Sequence, residues 1–303
     1  MSLKHILICD FDETITRKDT ISLLAKLPYK RPTARELPPW AHFTQNYMKA
    51  YELYAKPNTR CLPLIPQDVL NFRHKIMKSN YKDLFSEEFA YQKQARKVEL
   101  ASIEELEKYK LFQGITANNV KQYVGSLQEE QIRPGFTEVW RNADERYVLS
   151  INWSREFIRD VLAEKELQVN EENIYCNNLL ISDDGSYTGM FDKGIMTGSD
   201  KVRVLECILD KISEQPKKVW YIGDSETDLL SILHPKVNGV LLLNPSENLD
   251  KFIRITVDLL GLSRDQMMLF AEDTTWKKFA LNFKEEGFLI LLKSWEDMQQ
   301  CLE

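Results

Sequence analysis

The chain has 303 residues, 43% of them hydrophobic and 28% charged, with a formal net charge of −6. That length is one large domain or two ordinary ones, and the composition supports a packed core rather than disorder. The acidic balance argues against a general nucleic-acid binder, which shows a basic face, but leaves room for a local pocket that takes an anion.

The first predicted element is the apolar run at residues 5–9, which ends in the acidic stretch Asp10-Phe11-Asp12-Glu13-Thr14. Continuous rather than alternating apolar residues suit a strand buried on both faces. Residues 20–131 read differently: long, polar, punctuated by prolines that include Pro32 and Pro57, rich in helical spacing in their later part and without a convincing strand. The spacing predicts a helical subdomain inserted between the first and second strands, so that 1–19 and 132–303 form an α/β core. Pro134-Gly135 breaks the chain, and a short helix is expected over 136–142.

Further strands are expected at 146–151, 219–222 and 240–243. Between them, Phe157, Ile158, Val161 and Leu162, then Val202, Leu205, Ile208 and Leu209, recur at helical spacing. Strand, helix, strand, helix implies parallel pairing and right-handed crossovers. The fold class expected is therefore α/β, a Rossmann-like doubly wound parallel sheet. Residues 173–193 read as a hairpin turning at Asp184-Gly185. The last 60 residues carry helical patterns near 246–260 and 294–302, and one more apolar run at 288–292.

In such a sheet ligands bind at the carboxyl ends of the strands. Asp10 and Asp12, two apart, share a face in extended geometry. Read alone, they suit a solvated acidic turn as well as a nucleophile with an acid/base partner. Ser150 ends the second run, while Ser154 is well placed as a helix N-cap. Lys201 follows Ser199 and Asp200, either of which could cap a helix beginning there, and a lysine at a helix N-terminus strengthens an anion site. The run ending at Gly223 is followed by Asp224 and Asp228, repeating the acidic exit of the first strand. Carboxylates brought together raise one another's pKa unless a cation neutralises them, and Mg²⁺ suits a few carboxylates with water and phosphate oxygens.

The five cysteines, Cys9, Cys61, Cys176, Cys207 and Cys301, contain no C-x-x-C pair. They read as free thiols of a reducing compartment. The four histidines lack zinc-like spacing. The N-terminal apolar run is shorter than the ~7–15 residues of a signal peptide, and no stretch approaches the roughly 20 apolar residues of a membrane helix. The expected location is cytoplasmic, with the nucleus left open and no membrane partner; the oligomeric state is not legible.

Taken in order, Asp10-Phe11-Asp12-Glu13-Thr14, Ser150, Lys201 and Gly223-Asp224-Ser225-Glu226-Thr227-Asp228 resemble the four motifs of the haloacid dehalogenase-like superfamily, over about residues 5–245. The long insertion, the "RPGF" return and the "DDGSYTG" hairpin look like its phosphoserine-phosphatase-like branch, with a helical C1-type cap. That branch usually follows the serine with two glycines, whereas here Ile151-Asn152-Trp153-Ser154 follow, which leaves Ser150 and Ser154 both open for the serine role. The "VLS..W" pattern is similar to the phosphatase domain fused to thiaminase-like proteins in plants, which implies thiamin-related monophosphates.

The resemblance implies a Mg²⁺-dependent phosphomonoester hydrolase acting on a small phosphorylated metabolite. Asp10 would form an aspartyl-phosphate and Asp12 would move protons. Ser150 and Lys201 would steady the phosphoryl, and Asp10, Asp12 through its carbonyl, Asp224 and Asp228 would hold the metal. A phosphotransferase or mutase of the same superfamily, and a non-catalytic phosphometabolite-binding protein, are the alternatives.

Overall fold

Along each central strand, neighbouring apolar side chains go to opposite sides, because successive Cβ atoms of a strand alternate. The computed structural model describes residues 3–31, 36–55, 60–212 and 217–302, so Pro32 and Pro57 lie outside the described residues. Its main sheet has seven strands: β1 Lys4–Cys9, β2 Glu145–Leu149, β3 Ile174–Tyr175, β6 Lys217–Gly223, β7 Asn238–Leu242, β8 Lys278–Leu281 and β9 Leu289–Leu292. Their order is β3-β2-β1-β6-β7-β9-β8. All neighbours pair in parallel except β8 with β9 at one edge.

Two cores result. Leu7 and Cys9, Val148, Trp220 and Ile222, Val240 and Leu242 enter one, together with the helices Phe136–Asn142, Arg155–Ala163 and Trp295–Leu302. Ile6 and Ile8, Tyr147 and Leu149, Tyr221, and Leu241 enter the other, with Gly198–Lys211, Leu229–Leu233 and Arg264–Glu272. Continuous apolar runs thus become strands covered on both faces, the doubly wound α/β architecture expected.

The hairpin expected over 173–193 divides. Its first residues are β3, in the main sheet, and the two-stranded unit is β4 Leu179–Ile181 with β5 Tyr187–Phe191. Gly185, at φ 81°, takes the left-handed conformation at the turn that glycine adopts without cost. The helix expected near 246–260 is α-helical only over Leu249–Ile253 and continues as a π-helix over Arg254–Leu259.

Between β1 and β2 no described residue joins a strand of the main sheet. The two ends of this segment lie side by side: Thr16 bridges Ile132, and Arg17 N donates to Gln131 O at 2.8 Å. The long helices Trp40–Tyr54 and Ser86–Lys108 pack together around Ala50, Ala55 and Val98. Residues between them are stitched to the α/β core: Leu64 N donates to Leu259 O at 2.7 Å, Ile76 N to Phe283 O at 2.8 Å, and the Tyr81 hydroxyl to Leu230 O at 2.6 Å.

The C-terminal residues are equally part of the core. β9 pairs with β7, and the buried Trp295 ring packs on Phe136 with centroids 4.9 Å apart while its Nε1 donates to Thr14 O at 2.9 Å. That bond ties the last helix to the loop that carries Asp10 and Asp12. Trp295→Ala should therefore destabilise the fold by about 3–5 kcal/mol, the range for emptying a buried large aromatic site. Urea denaturation followed by circular dichroism measures it; a loss below about 1 kcal/mol would show that the C-terminal helix is an appendage.

Candidate active site

β1 and β6 are neighbours, yet the chain leaves β1 towards β2 and β3 on one side and leaves β6 towards β7 and β9 on the other. This reversal opens a crevice beyond their carboxyl ends, where open α/β sheets bind ligands. Asp10 is the first residue past β1, and Asp224 the first past β6. Asp10 N donates to Ile222 O at 2.9 Å, extending the strand pairing to the acidic residue itself.

Lys201 joins them. It lies in the first turns of Gly198–Lys211, whose cap is Thr197 in a reciprocal capping box with Asp200, so neither Ser199 nor Asp200 is the cap. A threonine in extended conformation offers its oxygen to the third helical N–H, which fixes the start at Gly198, three residues earlier than the lysine pattern suggests. The Lys201 ammonium is fully buried, 2.9 Å from Asp10 Oδ1 and 2.7 Å from Asp228 Oδ1. Asp228 also accepts from the Tyr221 hydroxyl at 2.8 Å, and from Ser225 N at 3.1 Å and its hydroxyl at 2.7 Å. Gly223 makes this approach possible, since a Cβ there would stand 2.3 Å from Asp228 Cγ.

Asp10 is 5% exposed, Asp224 1% and Asp228 0%, and one carboxylate oxygen from each can be chosen so that the three lie within 4.8 Å of one another. Burial, then repulsion from Asp228, pushes Asp10 well above the usual carboxylate range against the pull of Lys201. Burial also raises Asp224, opposed by Lys251. Asp228 responds the other way: burial works against its charge, but Lys201 and its hydrogen bonds hold it below the ordinary value. The three carboxylates therefore have unequal surroundings within one charge cluster.

Asp12 lies outside this cluster and faces β2. Its Oδ1 accepts from Thr20 N at 2.6 Å and from the Thr20 hydroxyl at 2.5 Å, and its Oδ2 from Asn152 Nδ2 at 2.9 Å. Burial pushes it up to about 6, against the opposing effect of those hydrogen bonds. A carboxyl with a pKa near 6 both gives and takes protons near neutrality.

Ser150 and Ser154 separate by geometry. The Ser154 hydroxyl caps Arg155–Ala163, accepting from Phe157 N at 3.1 Å and donating to Glu156. Ser150 is buried just past β2, and its Oγ accepts from Asn152 N at 3.1 Å. Among the described residues that hydroxyl donates no hydrogen bond, so its proton is available to a ligand.

Several site residues lay beyond the sequence patterns. Asn152 was visible only as the residue in place of a glycine. Lys251, from Leu249–Ile253, reaches Asp224 Oδ2 at 2.5 Å and Glu13 Oε2 at 2.6 Å. The helix Ser86–Lys108 is tied to two segments that border the crevice. Gln92 Oε1 accepts from Gly198 N at 3.0 Å, and the largely buried Arg60 joins Glu88 of that helix to Glu226 of the acidic loop. No spacing rule predicts such contacts, since each joins segments far apart in the chain.

No family model matches the chain. It is 43% identical to Cold tolerance protein 1 of Saccharomyces cerevisiae over 99% of this chain and 98% of that protein. It is 29% identical to a CTO1 family protein of Schizosaccharomyces pombe over 86% and 87%. Among solved structures it is similar to a phosphoserine phosphohydrolase-like protein from Francisella tularensis, at 15% identity and a TM-score of 0.47, over 88% of this chain and 99% of that one.

If Asn152 stabilises the ionised form of Asp12, Asn152→Ala should move the Asp12 titration above 6. Carbon-13 NMR of the labelled carboxyl reads it directly. An unchanged or lower midpoint would show that the amide contributes nothing to the charge on Asp12.

Proposed function

The chain belongs to the CTO1 family of Cold tolerance protein 1, a name that states no reaction, and from the site itself we propose that it is a phosphomonoester hydrolase of the haloacid dehalogenase-like type. One observation carries the reading. Two aspartates two residues apart at one strand end have opposite surroundings: Asp10 faces Lys201 and the acidic cluster, and Asp12 faces Thr20 and Asn152 with its pKa raised to about 6. That is the division of labour needed by a nucleophile and its proton carrier.

In the proposed reaction an Asp10 carboxylate oxygen forms a bond to phosphorus while the bond from phosphorus to the ester oxygen breaks. Asp12 delivers its proton to the departing alkoxide. Water then attacks phosphorus, Asp12 takes its proton, and the bond from Asp10 to phosphorus breaks to release phosphate. Lys201 and the Ser150 hydroxyl steady the charge on the transferring group, and a preorganised donor of this kind is worth roughly 3–4 kcal/mol of barrier.

The donor set fits a hard divalent cation. Carboxylate oxygens of Asp10, Asp224 and Asp228 can converge within 4.8 Å, and buried carboxylates are the hard oxygen donors such an ion takes. Asp10, the Asp12 carbonyl and Asp224 would hold Mg²⁺, with Asp228, already bonded to Lys201, Tyr221 and Ser225, standing behind them. When bound, the ion would supply charge neutralisation for nucleophile and phosphoryl oxygens. The inserted segment 20–131 acts as a helical cap, its helix Ser86–Lys108 excluding water and meeting the leaving group of a small phosphorylated metabolite. Thiamin-related and serine-type monophosphates are the first esters to assay.

Purified protein should hydrolyse an aryl phosphate with added Mg²⁺, and Asp10→Asn should abolish turnover; full activity in that variant would remove Asp10 as nucleophile. With an alkyl phosphate, whose leaving group needs a proton, single-turnover release of alcohol should fall as pH rises through about 6, because Asp12 then loses the proton it donates. Asp12→Asn should remove that limb. A limb persisting in the variant would assign the proton to another group.

A further inference from the structure

Lys251 is the one cation besides Lys201 that touches the three-aspartate cluster among the described residues. Its ammonium lies 2.5 Å from Asp224 Oδ2, with Thr14 donating to the other oxygen at 2.6 Å. It is also held from outside, 2.6 Å from Glu13 Oε2. Glu13 is fixed in turn. Its backbone sits at φ 56°, a left-handed conformation uncommon for a glutamate, its N–H donates to the Thr16 hydroxyl, and Arg133 Nε donates to its carbonyl at 2.9 Å. Strained residues of this kind cluster at active sites, and Glu13 reaches the aspartate cluster through Lys251.

We propose that Lys251 is a tethered counter-cation of the aspartate cluster, which competes with a divalent metal for Asp224 and sets how tightly that metal binds. The inference rests on the reading of the cluster as a divalent-cation site. Its physical basis is electrostatic. A buried carboxylate beside two others requires positive charge. A lysine ammonium provides one unit at Asp224 without leaving the protein, and it repels any further cation brought to the same oxygen pair. Glu13 keeps the ammonium there by offsetting part of its charge and fixing its direction. Lys251 acts through Asp224 and is a positioning residue. It comes from the C-terminal 60 residues, which therefore contribute a group to the site as well as two strands, β8 and β9, to the sheet.

The test is Mn²⁺ binding by isothermal titration calorimetry on the full chain, which requires no substrate. Lys251→Met should bind Mn²⁺ at least tenfold more tightly than the unmodified protein, while Lys251→Arg, which keeps the charge, should stay within about threefold of it. In chelator Lys251→Met should melt at a lower temperature than the unmodified protein, and Mn²⁺ should restore more of its stability. Should Lys251→Met fail to fold, Lys251→Gln removes the charge while keeping a polar group against Asp224 and Glu13, and should likewise tighten Mn²⁺ binding about tenfold. Equal or weaker binding in Lys251→Met, or in Lys251→Gln where that is the variant that folds, overturns the proposal. The metal reading fails separately, if neither the unmodified protein nor any variant binds Mn²⁺, and the proposal then falls with it. Binding by Lys251→Met alone would support the proposal in its strongest form, with Lys251 standing in for the metal.

Discussion

The buried Lys201 ammonium between Asp10 and Asp228 is the contact on which the site depends. It gathers a helix, the end of β1 and the loop after β6 around one charge. Removing one partner of a buried ion pair costs about 3–5 kcal/mol, because the other is left uncompensated. Here the loss would fall on two carboxylates at once. The surrounding choices follow from that charge: Gly223 lets Asp228 approach, Tyr221 and Ser225 fill its remaining lone pairs, and Thr197 starts the helix where Lys201 points into the crevice.

A second consequence is separation. Once Lys201 and its partners occupy the side of β6, Asp12 is left to the side of β2, among Thr20 and Asn152. Two carboxyls only two residues apart thus receive opposite surroundings, one within a charge cluster and one among neutral donors. Environment, not residue type, sets what each can do. Asn152 is part of this separation. Its amide donates to Asp12 and its carbonyl oxygen accepts from Trp153 N at 2.7 Å, so the loop after β2 is fixed by the same side chain.

The insertion and the C-terminus both reach the crevice. Helix Ser86–Lys108 meets the N-terminus of the lysine helix through Gln92 and the acidic loop through Arg60 and Glu88. From the other direction, Trp295 fixes the carbonyl of Thr14 and Lys251 fixes Glu13. The first acidic loop is therefore clamped by residues more than 200 positions away in the chain.

The sequence by itself determined what local patterns can encode. Unbroken apolar runs at 5–9, 219–222 and 240–243 mean strands covered on both faces, and charged residues just past them mark strand exits. Asp10, Asp12, Asp224 and Asp228 could be chosen from those exits, and Ser150 and Lys201 from their order between them in a resemblance to a known superfamily, with Ser154 left open beside Ser150. The edge strand β8 and the two-residue β3 were not legible, because too few residues alternate for a period to show. Only the tertiary structure decided which groups meet. Asn152 and Asp12 are 140 positions apart, and Glu13 and Lys251 are 238. Such pairs leave no spacing in the sequence, since they are created when strand order and helix docking bring separate segments to one crevice. The sharing of protons and charge among these carboxylates belongs to the same level, because burial and neighbours, absent from the unfolded chain, are what shift them.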